Sequence, residues 1–316
     1  MNFQNKSFFP YLSISLMVLP AVLCIFTPSV LLLRTVAQYT VQIMFFYLFS
    51  GLIFLALRKT NYTWICFCCC GLLALFLRQS IDKSFMYPKE DKSAAILRIA
   101  QFNSSNIEDN LDSCLEVLKK SEADIICIQE LSPTLDTILL RKLKGQYPHY
   151  SHIKNIGYYG MALFSKIPLN KKEPLMVDDI PNLVTSITFA NEEIYLVCSY
   201  TEPPVDQTRY TLLKKHLQGV AEYIAQLKNS VVTIGNYNTV SWSNEIQDFK
   251  RARQLQDSRL GFMPTFPNNN YTIFKVPNDH IFYSEKLKCI NFQLVGSLGI
   301  MSTLQLKSYE ELHQKK

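Results

Sequence analysis

The strongest constraint on this chain is its apolar front. Tyr11 to Leu33, Tyr39 to Leu57 and Tyr62 to Leu77 are nearly continuous hydrophobic runs, interrupted by Arg34 and by Arg58 with Lys59. Each is close to the roughly 17 to 25 residues that a helix needs to cross a bilayer. A cleaved signal peptide would be one short apolar stretch with a basic start and a small-residue cleavage site, whereas here one stretch follows another. Three transmembrane helices are therefore expected, the third and shortest run being open to a re-entrant or interfacial reading. Pro20 and Pro28 would kink the first span without abolishing it.

With the N-terminus inside, Lys6, Arg58 and Lys59 are cytoplasmic while Arg34, Arg78 and Lys83 are not. The compact Arg58–Lys59 pair leans the chain to this orientation, which makes it a multi-pass membrane protein with everything after Leu77 extracytoplasmic. The expected organisation is a membrane region over residues 1–78, a polar connector over 79–92 around Pro88, and a second domain over 93–316.

The 48% hydrophobic content is high for a soluble enzyme, and its excess sits in the front. Net charge is +6, yet from Asp91 onward 25 Lys and Arg face 24 Asp and Glu, so the second domain lacks the basic surplus of a nucleic-acid surface. Arg141-Lys142-Lys144 and Lys250-Arg251-Arg253 read as solvated helix faces. Cys24, Cys66, Cys68, Cys69 and Cys70 lie in the apolar front as small hydrophobes, with acylation of the last three as the alternative. Cys114, Cys127, Cys198 and Cys289 have no ligand-like spacing and read as core thiols.

Beyond the connector, strands alternate with helices. Ala95 to Phe102, Asp124 to Gln129, Met161 to Ser165, Val184 to Phe189, Ile194 to Ser199, Val231 to Ile234, Ile281 to Tyr283, Ile290 to Val295 and Met301 to Leu306 read as strands. Helices are expected from an Asn106 cap to Lys120, from Pro133 to Leu143, and from Asp206 to Leu227 with Leu212, Val220, Ile224 and Leu227 facing inward. Many strands with few helices in this order suggest an α+β fold, two sheets back to back with helices outside, preceded by a helical membrane region.

Rigid strands that end in polar side chains are a common way to build a site. Such residues are Asn103 in IAQFN, Glu130 in CIQE, Tyr200 in VCSYTEPP, Asn236 and Asn238 in IGNYN, and Asp279 in NDHIFYS. Taken singly, each is more often a turn or cap residue than a ligand. Phosphate-ester hydrolysis would ask for a hard divalent cation on oxygen ligands, a base for water, and donors for the developing charge.

In joint order these segments, with MALFSKIPL, the TFP stretch and a closing Gly296-Ser297, resemble the endonuclease/exonuclease/phosphatase (DNase I-like) superfamily from Ala95 to about Leu306. The resemblance implies a four-layer α/β/β/α sandwich. It also implies Mg2+ or Mn2+ held by Glu130 with Asn103 nearby, Asn238 and Tyr200 as phosphate donors, and Asp279 as the acid that orients a catalytic His. The departures fall on the proton-handling groups. Asn236 stands where the family has the Asp that activates or orients water, and Leu298 and Gly299 stand where the closing Ser-Asp-His motif has its Asp and His. An amide takes no proton from water at neutral pH. His280 offers no obvious replacement, because neighbours on a strand face opposite ways.

Two readings follow. One is a membrane-anchored, pseudoenzyme-like domain that binds a phosphate-bearing ligand or partner with hydrolysis impaired and its cation site weak or lost. The other is an active metal-dependent phosphatase or phosphodiesterase on a lipid-linked or envelope phosphate. Similar three-helix anchors in bacterial proteins of the teicoplanin-resistance type imply such a substrate. Trp242 in VSWSN reads as packing beside the phosphate turn, with substrate stacking as its alternative. Phe262 and Phe266 read as cleft wall or sandwich closure, and His149, His152 and His216 as surface or core residues.

Overall fold

The structure is a computed structural model that describes residues 8–26, 30–81, 86–104, 111–155, 157–266, 273–296 and 298–313. The front holds helices α1 (Phe8–Phe26), α2 (Leu31–Gln38), α3 (Thr40–Ala56) and α4 (Thr60–Ser80). After these come β1 (Leu97–Asn103), α5 (Leu111–Lys120), β2 (Ile125–Gln129), α6 (Pro133–Leu143), β3 (His149–Ile153) and β4 (Met161–Ser165). Next are β5 (Asn170–Lys171), β6 (Leu175–Val177), β7 (Ile180–Phe189), β8 (Glu192–Cys198), α7 (Gln207–Gln226), β9 (Ser230–Asn236) and α8 (Asn244–Arg251). The chain closes with β10 (Gln256–Asp257), β11 (Asp279–Tyr283), β12 (Leu287–Val295), β13 (Gly299–Leu306) and α9 (Tyr309–His313).

One sheet runs β12-β13-β1-β2-β4-β3 and the other β10-β11-β9-β8-β7-β5, with β6 added to β7. β1 and β2 pair in parallel in the first sheet, as do β8 and β9 in the second. Strand alternation explains the layers. Ile125 and Cys127 point into the core between the sheets, with Ile99, Cys198, Ile234 and Ile281, while Ile126 and Ile128 pack beneath α5 and α6 with Leu118 and Leu139. Because β2 is covered on both faces, its sequence is apolar without a period. α7 and α8 cover the second sheet over Val197, Val231 and Phe282. This is the four-layer α/β/β/α sandwich.

The helices start where their caps allow. Ser132 Oγ accepts from Leu135 N at 3.3 Å with Pro133 in the first turn of α6, and Asp206 Oδ1 accepts from Arg209 N at 2.8 Å at the head of α7. The register of α7 differs from expectation. Leu213, Leu217, Val220 and Ile224 form its buried stripe and Leu212 is exposed, because alternating steps of four and three residues back from Ile224 fall on 220, 217 and 213 rather than 212. Lys250 is buried at the end of α8 rather than solvated, whereas Arg251 is exposed. Among the described residues β3, β5, β6, β10, α8 and α9 are elements that hydrophobic periodicity did not mark. The expected Asn106 cap, Lys6, Pro28, Lys83 and Ser297 lie outside the described residues.

The front departs from three uniform spans. The first run is two helices, α1 ending at Phe26 and α2 beginning at Leu31. α3 has 17 residues, about 26 Å at 1.5 Å per residue, against a hydrocarbon core of about 30 Å. The run read as shortest is instead the longest helix, α4, with 21 residues, and among the described residues it alone is long and apolar enough to cross a membrane. The four helices pack on one another through Ala21, Cys24, Tyr47, Cys66, Cys69 and Leu73.

α2 packs on the apolar front through Val36 and also meets the sandwich. Arg34 is buried against the sandwich, and Leu77 at the end of α4 packs with Val240, Trp242 and Val276.

Candidate functional site

Asn103 and Glu130 lie at or just beyond the C-terminal tips of the parallel pair β1 and β2, Tyr200 and Asn236 at the tips of β8 and β9. β11 runs antiparallel to β9, so its first residue, Asp279, sits opposite Asn236. Topology thus brings Asn103, Glu130, Tyr200, Asn236, Asn238 and Asp279 to one end of the sandwich, and because β13 runs antiparallel to β1 with Gly299 opposite Phe102, Leu298 and Gly299 begin at that same end.

Glu130 accepts hydrogen bonds from the Asn103 amide Nδ2 and from the Tyr200 hydroxyl, and its own carbonyl accepts from Ser104 Oγ. Its backbone is left-handed at φ 56°, and Asn238 is left-handed at φ 44°. Two site residues thus hold a conformation that side chains with a Cβ avoid, as functional turns often do. Asn238 donates Nδ2 to Thr201 O at 2.6 Å, and its backbone N donates to Asn236 Oδ1 at 2.9 Å. The Asn236 side chain therefore closes its own turn with its only acceptor, where a carboxylate base would have offered a second oxygen to water.

A pair of buried glutamines fixes the two sheets at this end. Gln101 Nε2 lies 3.1 Å from both Gln129 Oε1 and Asp279 Oδ1. Gln129 Nε2 donates to Ser199 O at 2.6 Å, and Gln129 Oε1 accepts from Asn236 N at 2.7 Å. Sequence reading passed over both, although a Gln inside an apolar strand was the available signal, since buried polar groups are almost always paired.

Behind the turn lies a second buried layer that was also missed. Arg259 donates Nη2 to the Asp279 carbonyl at 2.5 Å and its backbone N to Asp257 Oδ1 at 3.0 Å. His280 donates Nε2 to Thr239 O at 3.0 Å and lies 3.8 Å from Asp257, an electrostatic contact too long for a hydrogen bond. Burial alone would raise the Asp257 carboxyl, but His280 and Arg259 outweigh it and hold it at about 2. His280 points away from Asp279 and stacks near Tyr237 and Phe282, as strand alternation requires.

The two carboxyls at the strand tips, Glu130 and Asp279, are pushed the other way. Burial raises Glu130, with the Asp279 charge adding to it and the Asn103 and Tyr200 hydrogen bonds opposing. Burial also raises Asp279 against Thr265, His280, Arg259 and Gln101. Desolvation, then the Glu130 charge, raises the Tyr200 phenol, so it is a donor and never a phenolate at neutral pH.

The closing motif has been rebuilt as core. Leu298 is buried with Phe102 and Val295 in the layer under α5 and α6. A Cβ on Gly299 would sit 1.9 Å from the Gln101 carbonyl oxygen, so no side chain fits there without moving β1. Gly235 shows the same close approach, 2.0 Å to Ser199 O, where β9 passes β8.

Other assignments resolve plainly. Trp242 donates Nε1 to Ala37 O at 2.8 Å and meets Phe262 edge-on at 5.4 Å, so it is an anchor for the helical front. Phe266 is exposed. His216 is a core residue 2.8 Å from Asn182 Oδ1, its pKa lowered by burial to about 4. His152, on the outer edge strand, pairs with Asp136 at 2.9 Å.

Among the described residues, no group of three or more His, Cys, Asp or Glu side chains could hold a metal ion. Glu130 would nevertheless be the carboxylate to meet a hard divalent ion, because its raised carboxyl has Asn103, Tyr200 and the Asp279 charge as its partners and no cationic side chain among them. Such an ion would neutralise charge on a phosphate. Glu130→Gln is therefore expected to raise the melting temperature of the cation-free protein and to abolish any rise on adding Mg2+, read by thermal shift. Because the folded-state carboxyl is raised, its ionisation weakens the fold above that value, and the penalty vanishes below the ordinary 4.5. The Mg2+ response is expected to fade as pH drops through the raised value.

Comparison with known proteins agrees with this geometry. A humanised TDP2 from D. rerio carrying 14 mutations superposes with a TM-score of 0.55 at 19% identity, over 66% of this chain and 98% of its own. An endonuclease/exonuclease/phosphatase from Beutenbergia cavernae gives 0.56 at 12% identity, over 67% and 72%. A family protein from Bacteroides thetaiotaomicron gives 0.53 at 15%, over 68% and 100%. At such identities the likeness is one of fold. Among curated proteins no match was found. The sequence profile of the Endonuclease/Exonuclease/phosphatase family matches residues 100–302, more than half of the chain. With both sheets, the strand-tip cluster and the Gly-Asn-Tyr-Asn turn in place, the chain belongs to the endonuclease/exonuclease/phosphatase family.

Proposed function

We propose that this is a membrane-anchored member of the family whose cleft binds a phosphate-bearing ligand without efficient hydrolysis. The observation that carries the reading is Asn236: its amide oxygen accepts from the Asn238 backbone, and no histidine stands at the closing strand to take or give a proton. Phosphate-binding parts are retained. The Tyr200 hydroxyl links Glu130, which Asn103 also holds, to Asn238, and this strand-tip group would hold and orient a phosphate with its cation. General acid–base groups contribute roughly 10² to 10⁴-fold each, so losing two leaves little rate even where binding survives.

Membrane attachment is supported by the outward apolar residues of the front, among them Phe45, Phe46, Phe49, Leu52, Leu72 and Leu75, which no packing covers. The multi-pass, extracytoplasmic topology is supported by charge. Arg34 is neutralised by Glu245, which leaves fewer free cations opposite the exposed Arg58–Lys59 pair between α3 and α4.

A second reading, an active phosphatase or phosphodiesterase on a membrane-linked phosphate, is favoured by Glu130 itself, whose raised pKa suits proton handling. The test is calorimetric titration of the full chain in detergent with inorganic phosphate and Mg2+. Binding weakened by Glu130→Ala and by Asn238→Ala is expected. Absence of binding, or binding indifferent to both substitutions, rejects the ligand-binding cleft.

A further inference from the structure

The turn after Asn238 is held from two sides. On the sandwich side, His280 Nε2 donates to Thr239 O, and Arg259 Nη1 lies 3.3 Å from Ser241 Oγ. On the other side the contacts come from the helical front, those of Arg34 and Ala37 more than two hundred residues earlier in the chain. Arg34 of α2 clamps Glu245 with both guanidinium prongs, Nη1 to Oε1 and Nη2 to Oε2, each at 2.7 Å. Its Nη2 also reaches Thr239 Oγ1 at 3.3 Å, and the guanidinium lies 4.0 Å over the Tyr210 ring, whose hydroxyl donates to Glu245 Oε1 at 2.7 Å. Trp242 fastens to Ala37 O, and Gln247 Nε2 to Ser80 O at 3.1 Å. Gln42 Nε2 reaches Lys275 O at 2.8 Å on the neighbouring loop.

This is more than a surface contact. Arg34 and Glu245 side chains are 3% and 6% exposed, and a buried pair is tolerated only where geometry satisfies both members. A two-pronged clamp onto a carboxylate fixes orientation as well as charge, which a lysine cannot do. Thr239 is the residue after Asn238 and the third after Asn236, so whatever fixes it fixes the turn that presents both amides.

We propose that Arg34 is a positioning residue: by clamping Glu245 and Thr239 it holds the Asn236–Asn238 turn in its ligand-binding shape, so that the helical front and the cleft form one coupled unit. The coupling is reciprocal by linkage, so a ligand in the cleft strengthens docking of α2. The affinity part of this inference rests on the ligand-binding reading given above, whereas the holding of the turn does not.

The test uses the full chain in detergent, with Arg34→Met, Arg34→Lys and the exposed-site control Arg141→Ala. Amide hydrogen exchange is followed over residues 34–39 and 239–245, and inorganic phosphate affinity is measured with Mg2+. Arg34→Met is expected to speed exchange in both segments and to weaken phosphate binding, each by about tenfold or more, the scale of losing charge-assisted hydrogen bonds. Exchange in β1 and β2 should stay unchanged, which separates loss of the clamp from loss of the fold. Arg34→Lys should fall between, and Arg141→Ala should match the parent chain. Faster exchange confined to residues 34–39, with 239–245 protected as before, overturns the proposal. If the parent chain binds no phosphate, the ligand-binding reading fails and the exchange result alone decides the role of Arg34.

Discussion

Restoring an aspartate and a histidine to the closing strand, as Leu298→Asp with Gly299→His, is expected to destabilise the sandwich severely and to bring no turnover. Two independent costs act. A carboxylate at 298 would be buried among the apolar side chains of Phe102, Val295 and Met301, a cost of about 3 kcal/mol or more for a buried charge they cannot pair. Any side chain at 299 begins with a Cβ 1.9 Å from the Gln101 carbonyl, and Gln101 O belongs to the ladder between β1 and β13. Relieving that overlap moves backbone, for about 1 to 3 kcal/mol by the usual scale of overpacking. The sum, about 4 to 6 kcal/mol, rivals the lower part of the 5 to 15 kcal/mol that holds a typical domain together. A melting temperature lower by about 10 °C or more follows for a domain of this size. A double variant that melts like the parent chain and hydrolyses a phosphoester would show that the closing strand had been misread.

Gln129→Leu carries the second large effect. The side chain matches in volume, but three buried groups lose their partner: the Asn236 N–H, the Ser199 carbonyl and part of the Gln101 amide. At about 1 to 3 kcal/mol for each group left unsatisfied, and with Gln101 still held by Asp279, the expected loss is about 3 to 5 kcal/mol. Denaturant unfolding measures it as a lower midpoint with an unchanged slope. Gln293→Leu, the same change on the exposed face of β12, should shift stability by under about 0.5 kcal/mol. Equal effects at both positions would mean that the glutamine bridge does not fasten the sheets.

The sandwich was legible because its strands obey simple burial rules. DIICIQE is apolar on both faces since β2 lies between the inter-sheet core and the helices α5 and α6, and Pro133 with Ser132 fixed the start of α6. α7 was found by its length, yet its inner face slipped by one residue at Leu212 and Leu213, because two adjacent leucines leave the period open. The strand-tip residues were legible as a set, since parallel strands end on one side. What was hidden is non-local. The roles of Gln101, Gln129, Arg259 and Asp257 depend on partners from other strands and sheets, which spacing cannot supply. Arg34 was read as a loop charge between membrane spans, and Trp242 as a neighbour of the phosphate turn. Their pairing across more than two hundred residues explains why a cation interrupts an apolar front at all. Gly299 looked like a loss of function only, whereas the strand packing turns it into a requirement of the fold.

On the proposed reading, the strand-tip site kept its binding side chains while its proton-handling ones were replaced. Phosphate or phosphodiester release by the full chain, measured at high protein concentration with Mg2+ and with Mn2+ across lipid phosphate, nucleotide and simple aryl phosphoester substrates, tests it most directly. The expected result is release no faster than the Glu130→Ala variant gives; robust turnover by the parent chain that Glu130→Ala abolishes would contradict it.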